Sequence, residues 1–455
     1  MQRRGIVLSI RGLAVESSGP PCQLGELCAI VPVGEAVRPG LLGRLLDGTA
    51  PRADGRDRRA EAVLAEVVAI DATRVTLMPY GSTQGLCAGA TVVAVGSHSR
   101  VGVGKQLLGR VIDGLGRPLD GLPPPETAAS MPLKGAPINP MQRPRIGKVL
   151  ETGIRSIDGL LTLGQGQRVG IFAGSGVGKS TLLGMIARHV VADVNVIALI
   201  GERGREVREF VEKQLGPEGL KRSVVVAASA DQAPMARIRA AHAALAIAEH
   251  FRDQGLQVVL TMDSITRLAM ARREVGLSAG EPPTARGYPP SVFAELPQLC
   301  ERCGTSPSGG SITALLTVLV EGDDFNEPIS DALRAILDAH IVLSRQLAHQ
   351  GQYPAIDVLK SASRLLPDLT DASERKTIQQ VVRTLALLDR NRQMLELGAY
   401  EHGSNPELDV ALASQATLFE WLQQAEGGVS RLQAMARLAQ WQAGLAKAAP
   451  GGSRR

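Results

Sequence analysis

Between Arg168 and Val191 the chain reads RVGIFAGSGVGKSTLLGMIARHVV, and no other stretch limits the fold so strongly. A short apolar run of buried-strand type passes through small residues into a pattern of helical period. Leu182, Leu183, Met185, Ile186 and Val190 share one face of that helix, turned toward a sheet. Strand, glycine turn and helix in this order aim successive backbone N–H groups at one point, where they can surround phosphate oxygens. Gly174, Ser175, Gly176, Val177 and Gly178 form the cradle. Lys179 supplies a cation for the outer phosphates, and Ser180, followed by Thr181, a hydroxyl for Mg²⁺. The strict pattern begins with glycine where this chain has Ala173, which serves if its φ is negative.

The same four letters, GVGK, also occur at Gly102–Lys105. There Lys105 is followed by Gln106 rather than Ser or Thr, and no helical pattern begins. This copy is expected to be a flexible turn with no phosphate to bind.

Two carboxylates stand where a hydrolysis site needs them. Val258-Val259-Leu260-Thr261-Met262-Asp263 reads as a buried strand with Asp263 at its C-terminal end, the end at which parallel sheets bind ligands. Asp263 could hold Mg²⁺ through its water shell, or simply cap the helix SITRLAMARRE that follows. Glu202 ends VNVIALIGE and could deprotonate an attacking water. Arg203, Arg205, Glu206 and Arg208 lie close by in sequence, so a salt-bridge cluster accounts for Glu202 equally well.

Apolar runs (RVGIFAG, VNVIALIGE, SVVVAAS, QVVLTMD, SITALLTVLVE, HIVLSR) alternate with helical patterns from about 151 to 365. That alternation predicts an α/β core with a mainly parallel sheet. Residues 1–95 carry short strand-like runs with turn punctuation, as in a small β-barrel. Residues 96–150, rich in Gly and Pro, suit an irregular connector leading into the core. Residues 366–445 read as helices and 446–455 as a disordered tail. At 455 residues and 44% apolar, the chain can support two or three domains.

Charge is nearly balanced, 50 Lys+Arg against 45 Asp+Glu, too even over this length to argue for nucleic acid. Tyr80 is the single aromatic residue before 151, so the N-terminal third lacks a platform for stacking bases. No apolar run approaches membrane-spanning length and no signal-peptide pattern follows the start, which makes a cytoplasmic protein the default expectation. Cys300 and Cys303 form a lone CxxC at the end of a helical pattern, where a shared helix face explains them better than zinc.

The strings AGSGVGKSTLLGMIAR, ALIGERGREVREF, MDSITR, GEPPTARGYPPSVFAELPQL, TVLVEGDDFNEPI and YPAIDVLKSASR occur together and in order. Over residues 1 to about 440 the chain resembles the ATPase of the flagellar and type III protein-export apparatus, a relative of the rotary ATP synthase catalytic subunit. The resemblance implies a RecA-like P-loop core between an N-terminal β-barrel and a C-terminal helical domain. It implies an ATP-hydrolysing homohexamer with ATP and Mg²⁺ at the subunit interfaces, associated peripherally with the inner face of the cytoplasmic membrane.

Implied partners are a regulatory stator, a central stalk, membrane proteins of the export gate and substrate–chaperone complexes, with no nucleic acid. By the same resemblance Glu202 is the catalytic carboxylate, and Arg203 and Arg267 line the γ-phosphate side. Tyr353 packs on adenine, and Arg364 reaches as an arginine finger into the neighbouring subunit's site. The chain begins almost directly on the barrel, without the additional N-terminal helix expected of flagellar members, which puts stator binding through that segment in doubt. The AGSGVGK loop leans toward flagellar over injectisome export. A rotary ATP synthase subunit and an RNA translocase are the remaining alternatives.

Overall fold

The computed structural model describes residues 3–35, 43, 45, 62–96, 99–320, 324–425 and 427–448. Six strands, β1 (Arg4–Arg11), β2 (Ala14–Ser17), β3 (Leu27–Val31), β4 (Val63–Ile70), β5 (Val75–Pro79) and β6 (Thr91–Gly96), close into a barrel in the order β1-β2-β5-β4-β3-β6. Period-two burial shows why: Gly5 and Val7 of β1 face inward while Arg4, Ile6 and Leu8 face out. Tyr80 offers no open ring, because the Arg239 guanidinium lies 5.8 Å from its centroid and its hydroxyl donates to Glu66.

The stretch after the barrel is packed, contrary to the expectation of an irregular connector. β7 (Arg100–Val103) pairs with β9 (Ala129–Pro132), and between them β8 (Val111–Ile112) joins the main sheet. Val101, Val103, Leu107, Ile112 and Leu133 are buried in one cluster with the helix Pro234–Asp253. The first GVGK copy is therefore not a flexible turn. Gly102 and Val103 belong to β7, and Lys105 opens a short 3₁₀ turn. Glycine composition masked a two-residue alternation, Val101 in and Val103 in, that tertiary contact turns into a strand.

A two-stranded ribbon of β10 (Val149–Leu150) and β11 (Leu163–Gly164) leads into the core. The core strands are β12 (Arg168–Ala173), β13 (Val194–Ile200), β14 (Ser223–Ala228), β15 (Gln257–Asp263), β16 (Gly304–Thr305), β17 (Ser311–Leu319), β18 (Ala339–Leu343) and β19 (Ala362–Ser363). They join β8 in a nine-stranded sheet ordered β19-β18-β12-β17-β15-β13-β14-β8, with β16 beside β17. All main-path pairings are parallel except β18 with β19.

Strands buried on both faces need not alternate, and β13 is buried at every position. One face packs Phe172, Val196 and Leu260 against the helices Pro234–Asp253 and Ile265–Ser278. The other packs Ile171, Ile197 and Leu199 against the helix Lys179–His189. Each such side chain removed from water contributes roughly 1.5–3 kcal/mol.

Three helices close the chain: Ala372–Glu396, Pro406–Leu422 and Arg431–Ala448. Asp371 and Glu374 form a capping box at the start of the first. The last runs three residues into the stretch expected to be unstructured, and 449–455 lie outside the described residues. Among the described residues no helix is long and apolar enough to cross a membrane.

Candidate active site

Contiguity of β12, β17, β15 and β13 brings their C-terminal ends to one edge of the sheet. The loop after β12 has left-handed backbone at Gly176 (φ 77°) and Gly178 (φ 84°), which turns its N–H groups inward before the helix starts at Lys179. Ala173 ends β12 without a positive φ, so alanine is no obstacle there. Ser175, Ser180 and Thr181 are exposed at the helix mouth, while Gly174 and Val177 are buried beneath it.

Lys179 crosses that mouth and binds two carboxylates. Its Nζ donates to Asp263 and lies 3.4 Å from Glu202 Oε1. Asp263, 3% exposed in its side chain, also accepts a 2.7 Å hydrogen bond from Thr317 Oγ1 on the intervening β17. It does not cap the next helix, for that is done by Ser264, whose hydroxyl accepts from the Arg267 N–H at 3.2 Å. Glu202 sits in the turn two residues beyond β13. Burial pushes its carboxyl up to about 7; Asp263 and Glu206 add to the rise, and Lys179 opposes it. Glu202 thus belongs to the Lys179 site, and the salt bridges of its neighbours form separately: Arg203 with Glu206 at 3.5 Å, Arg208 with Glu212 at 2.7 Å.

The arginines differ in placement. Arg267 is exposed and lies against the Gly201 turn, where an added Cβ would stand 2.9 Å from its own Cβ. Arg203 points to solvent, 74% exposed. Tyr353 lies on the phosphate loop, its ring 3.3 Å from where a Cβ on Gly178 would be. Its carbonyl accepts from the Gln424 N–H at 2.9 Å, tying it to the end of the Pro406–Leu422 helix. The Gln424 side chain is buried too, accepting from Arg155 N and donating to Gly153 O at 2.8 Å each.

Arg364 is exposed at the far end of the sheet. Its N–H donates to Asp338 O, and Asp338 in turn accepts from Arg168 N at the start of β12. The phosphate loop follows the other end of that strand, roughly 20 Å away for six extended residues. No arginine side chain spans that gap, so Arg364 does not reach its own subunit's loop.

Thr317 and Gln424 carry parts of this site that sequence reasoning missed, and Glu206, read there only as a salt-bridge neighbour, also bears on the Glu202 carboxyl. Thr317 left a signal, a hydroxyl amid the apolar run of β17, whereas nothing in the sequence around Gln424 marks it. The CxxC is inert: Cys300 and Cys303 are buried free thiols, and burial pushes Cys303 up to about 12. Among the described residues no cluster of three or more His, Cys, Asp or Glu could hold a metal.

A phosphate loop on a parallel sheet, two carboxylates at the same edge, a barrel before it and helices after it define a P-loop ATPase of the RecA-like, ATP synthase-related class. The family description "ATP synthase alpha/beta family, nucleotide-binding domain" matches residues 153–363, and "T3SS EscN ATPase C-terminal domain" matches residues 370–440. The flagellum-specific ATP synthase of Bacillus subtilis is 48% identical over 93% of this chain and 91% of its own. A type 3 secretion system ATPase of Xanthomonas euvesicatoria is 45% identical over 93% and 90%. Among solved structures, the assembled ATPase EscN of the enteropathogenic E. coli type III secretion system superposes with a TM-score of 0.86 at 39% identity. It covers 96% of this chain and 99% of that one. The chain belongs to the family of flagellum-specific and type III secretion ATPases.

Proposed function

We propose that this chain is the ATP-hydrolysing subunit of a flagellar protein-export apparatus, working as a homohexamer on a central stalk. The observation that carries the catalytic part is Lys179 held between Glu202 and Asp263 at the mouth of a left-handed glycine loop. Support for the assembly comes from the relatives: EscN is solved as an assembled ATPase and in complex with its central stalk EscO. The injectisome relatives fit nearly as well, at 44–45% identity against 44–50% for flagellar ones, and the higher flagellar values lean the assignment to flagellar export. The regulatory stator, export-gate and chaperone partners, and association with the inner membrane face, rest on the same kinship.

In this reading the phosphates of ATP enter the loop and draw Lys179 away from Asp263 onto the outer phosphates. Asp263 stays fixed by Thr317. Ser180 and Asp263 present hard oxygen donors in numbers that suit Mg²⁺, which keeps several waters and shares phosphate oxygens. When bound, that ion neutralises charge on the outer phosphates. Glu202 accepts the proton of the attacking water, and Arg267 and Arg203 flank the γ-phosphate side. Tyr353 turns its face to adenine. Arg364 serves the adjoining subunit's site, consistent with its place beyond reach of its own loop.

Lys179→Ala should abolish ATP turnover while leaving the circular dichroism spectrum unchanged; undiminished turnover would remove the phosphate-loop assignment. Expression of the chain in a bacterium lacking its flagellar ATPase should restore swimming, and the Lys179→Ala variant should not. Rescue of injectisome secretion without rescue of swimming would reassign the export system.

A further inference from the structure

A cavity of about 500 Å³ opens between the helices Pro406–Leu422 and Arg431–Ala448, and its lining includes neither the phosphate loop nor Tyr353. Its apolar walls include Val410, Trp421 and Leu445. Its polar lining is rich in donors: Arg155, Arg437 and the indole of Trp441, against a single acid, Glu420. Two donor atoms here are buried and unused, although the Arg155 guanidinium also donates through Nη2 to the Gln423 carbonyl. Arg155 is 9% exposed and Trp441 8%, yet neither Arg155 Nε nor Trp441 Nε1 has a hydrogen-bond partner among the described residues.

Native interiors seldom leave such groups unpaired, because each carries a desolvation cost. The neighbouring Trp421 shows the contrast, since its Nε1 donates to Ala434 O at 3.2 Å. Charge points the same way. Burial and the nearby Arg437 disfavour the positive charge on Arg155, and Glu420 offsets this in part. An acceptor carrying negative charge would satisfy both donors and both guanidinium groups at once.

We propose that this cavity is a binding site for a small organic carboxylate with an apolar, ring-sized body. The carboxylate sits between Arg155, Arg437 and Trp441 Nε1, and the body lies against Trp421 and Val410. The cavity volume falls within the range of small-molecule sites. Inorganic anions would meet the donors without filling the apolar part.

The chain has two tryptophans, and both line this cavity, so intrinsic fluorescence reports on it alone. Titration of the full-length protein with phenylacetate should change the emission saturably. The neutral analogue 2-phenylethanol should bind at least about tenfold more weakly, as expected when a charge-assisted contact is lost. Arg437→Gln, at an exposed position, and Trp441→Phe, which keeps the ring and removes the N–H, should each weaken phenylacetate by a similar factor. In Trp441→Phe the response is read from Trp421. The proposal is overturned by a linear, non-saturating response, by equal affinity for the alcohol, or by unchanged affinity in both variants. Thermal melting of each variant separates loss of the site from loss of the fold.

Discussion

Glu202 is the residue whose chemistry is most exposed to test. Half-buried beside Asp263 and Glu206, its carboxyl is held at about 7, so below that value it carries a proton and cannot take another from water. ATP turnover, measured as kcat/KM, should therefore rise as pH climbs through about 7 and level off above it. Glu206→Gln removes one negative neighbour and should slide this acid limb to lower pH. A limb at ordinary carboxylate values in the parent protein would take the base role from Glu202. The same surroundings explain why Asp263 is so firmly placed: a carboxylate 3% exposed needs the Lys179 ammonium and the Thr317 hydroxyl to offset its desolvation.

At the scale of elements, the two GVGK copies show how little four letters decide. Gly102 sits in β7 with its Cα facing Thr127, where an added Cβ would come 2.3 Å from Oγ1. Gly102→Ala should lower stability by about 1–3 kcal/mol while nucleotide affinity stays unchanged. Lys105→Ala, at an exposed position, should alter stability by less than about 0.5 kcal/mol. Denaturant melts and fluorescent-nucleotide titration check both, and a loss of nucleotide binding in either would contradict the assignment of this segment to the scaffold.

What could be read beforehand follows the same division. β12, β13 and β15 were legible because a strand buried on both faces must be written in apolar residues. The phosphate loop was legible because its glycines and Lys179-Ser180 are local to one stretch. Residues 100–133 were not, for their burial is supplied by the distant helix Pro234–Asp253. Gln424 was not either: a buried glutamine owes its meaning to Gly153, Arg155 and Tyr353, which the chain brings together only on folding.

For the whole molecule, the role proposed for Arg364 in the adjoining subunit's site would make hydrolysis a property of neighbours. Lys179→Ala and Arg364→Ala should each be inactive alone, the second still binding ATP. Mixed in equal amounts and allowed to reassemble, they should regain activity, since roughly a quarter of interfaces would pair an intact Lys179 with an intact Arg364. Mixtures as inactive as the separate variants would show that the arginine does not act across subunits.

The tie between Gln424 and the Tyr353 carbonyl bears on how such a machine keeps time. The residue proposed to grip the base hangs from the segment that ends the Pro406–Leu422 helix. A partner that tilted the C-terminal helices would therefore pull on Tyr353 and, through the contact of its ring with Gly178, on the phosphate loop as well. How tightly nucleotide is held would then depend on how those helices are held.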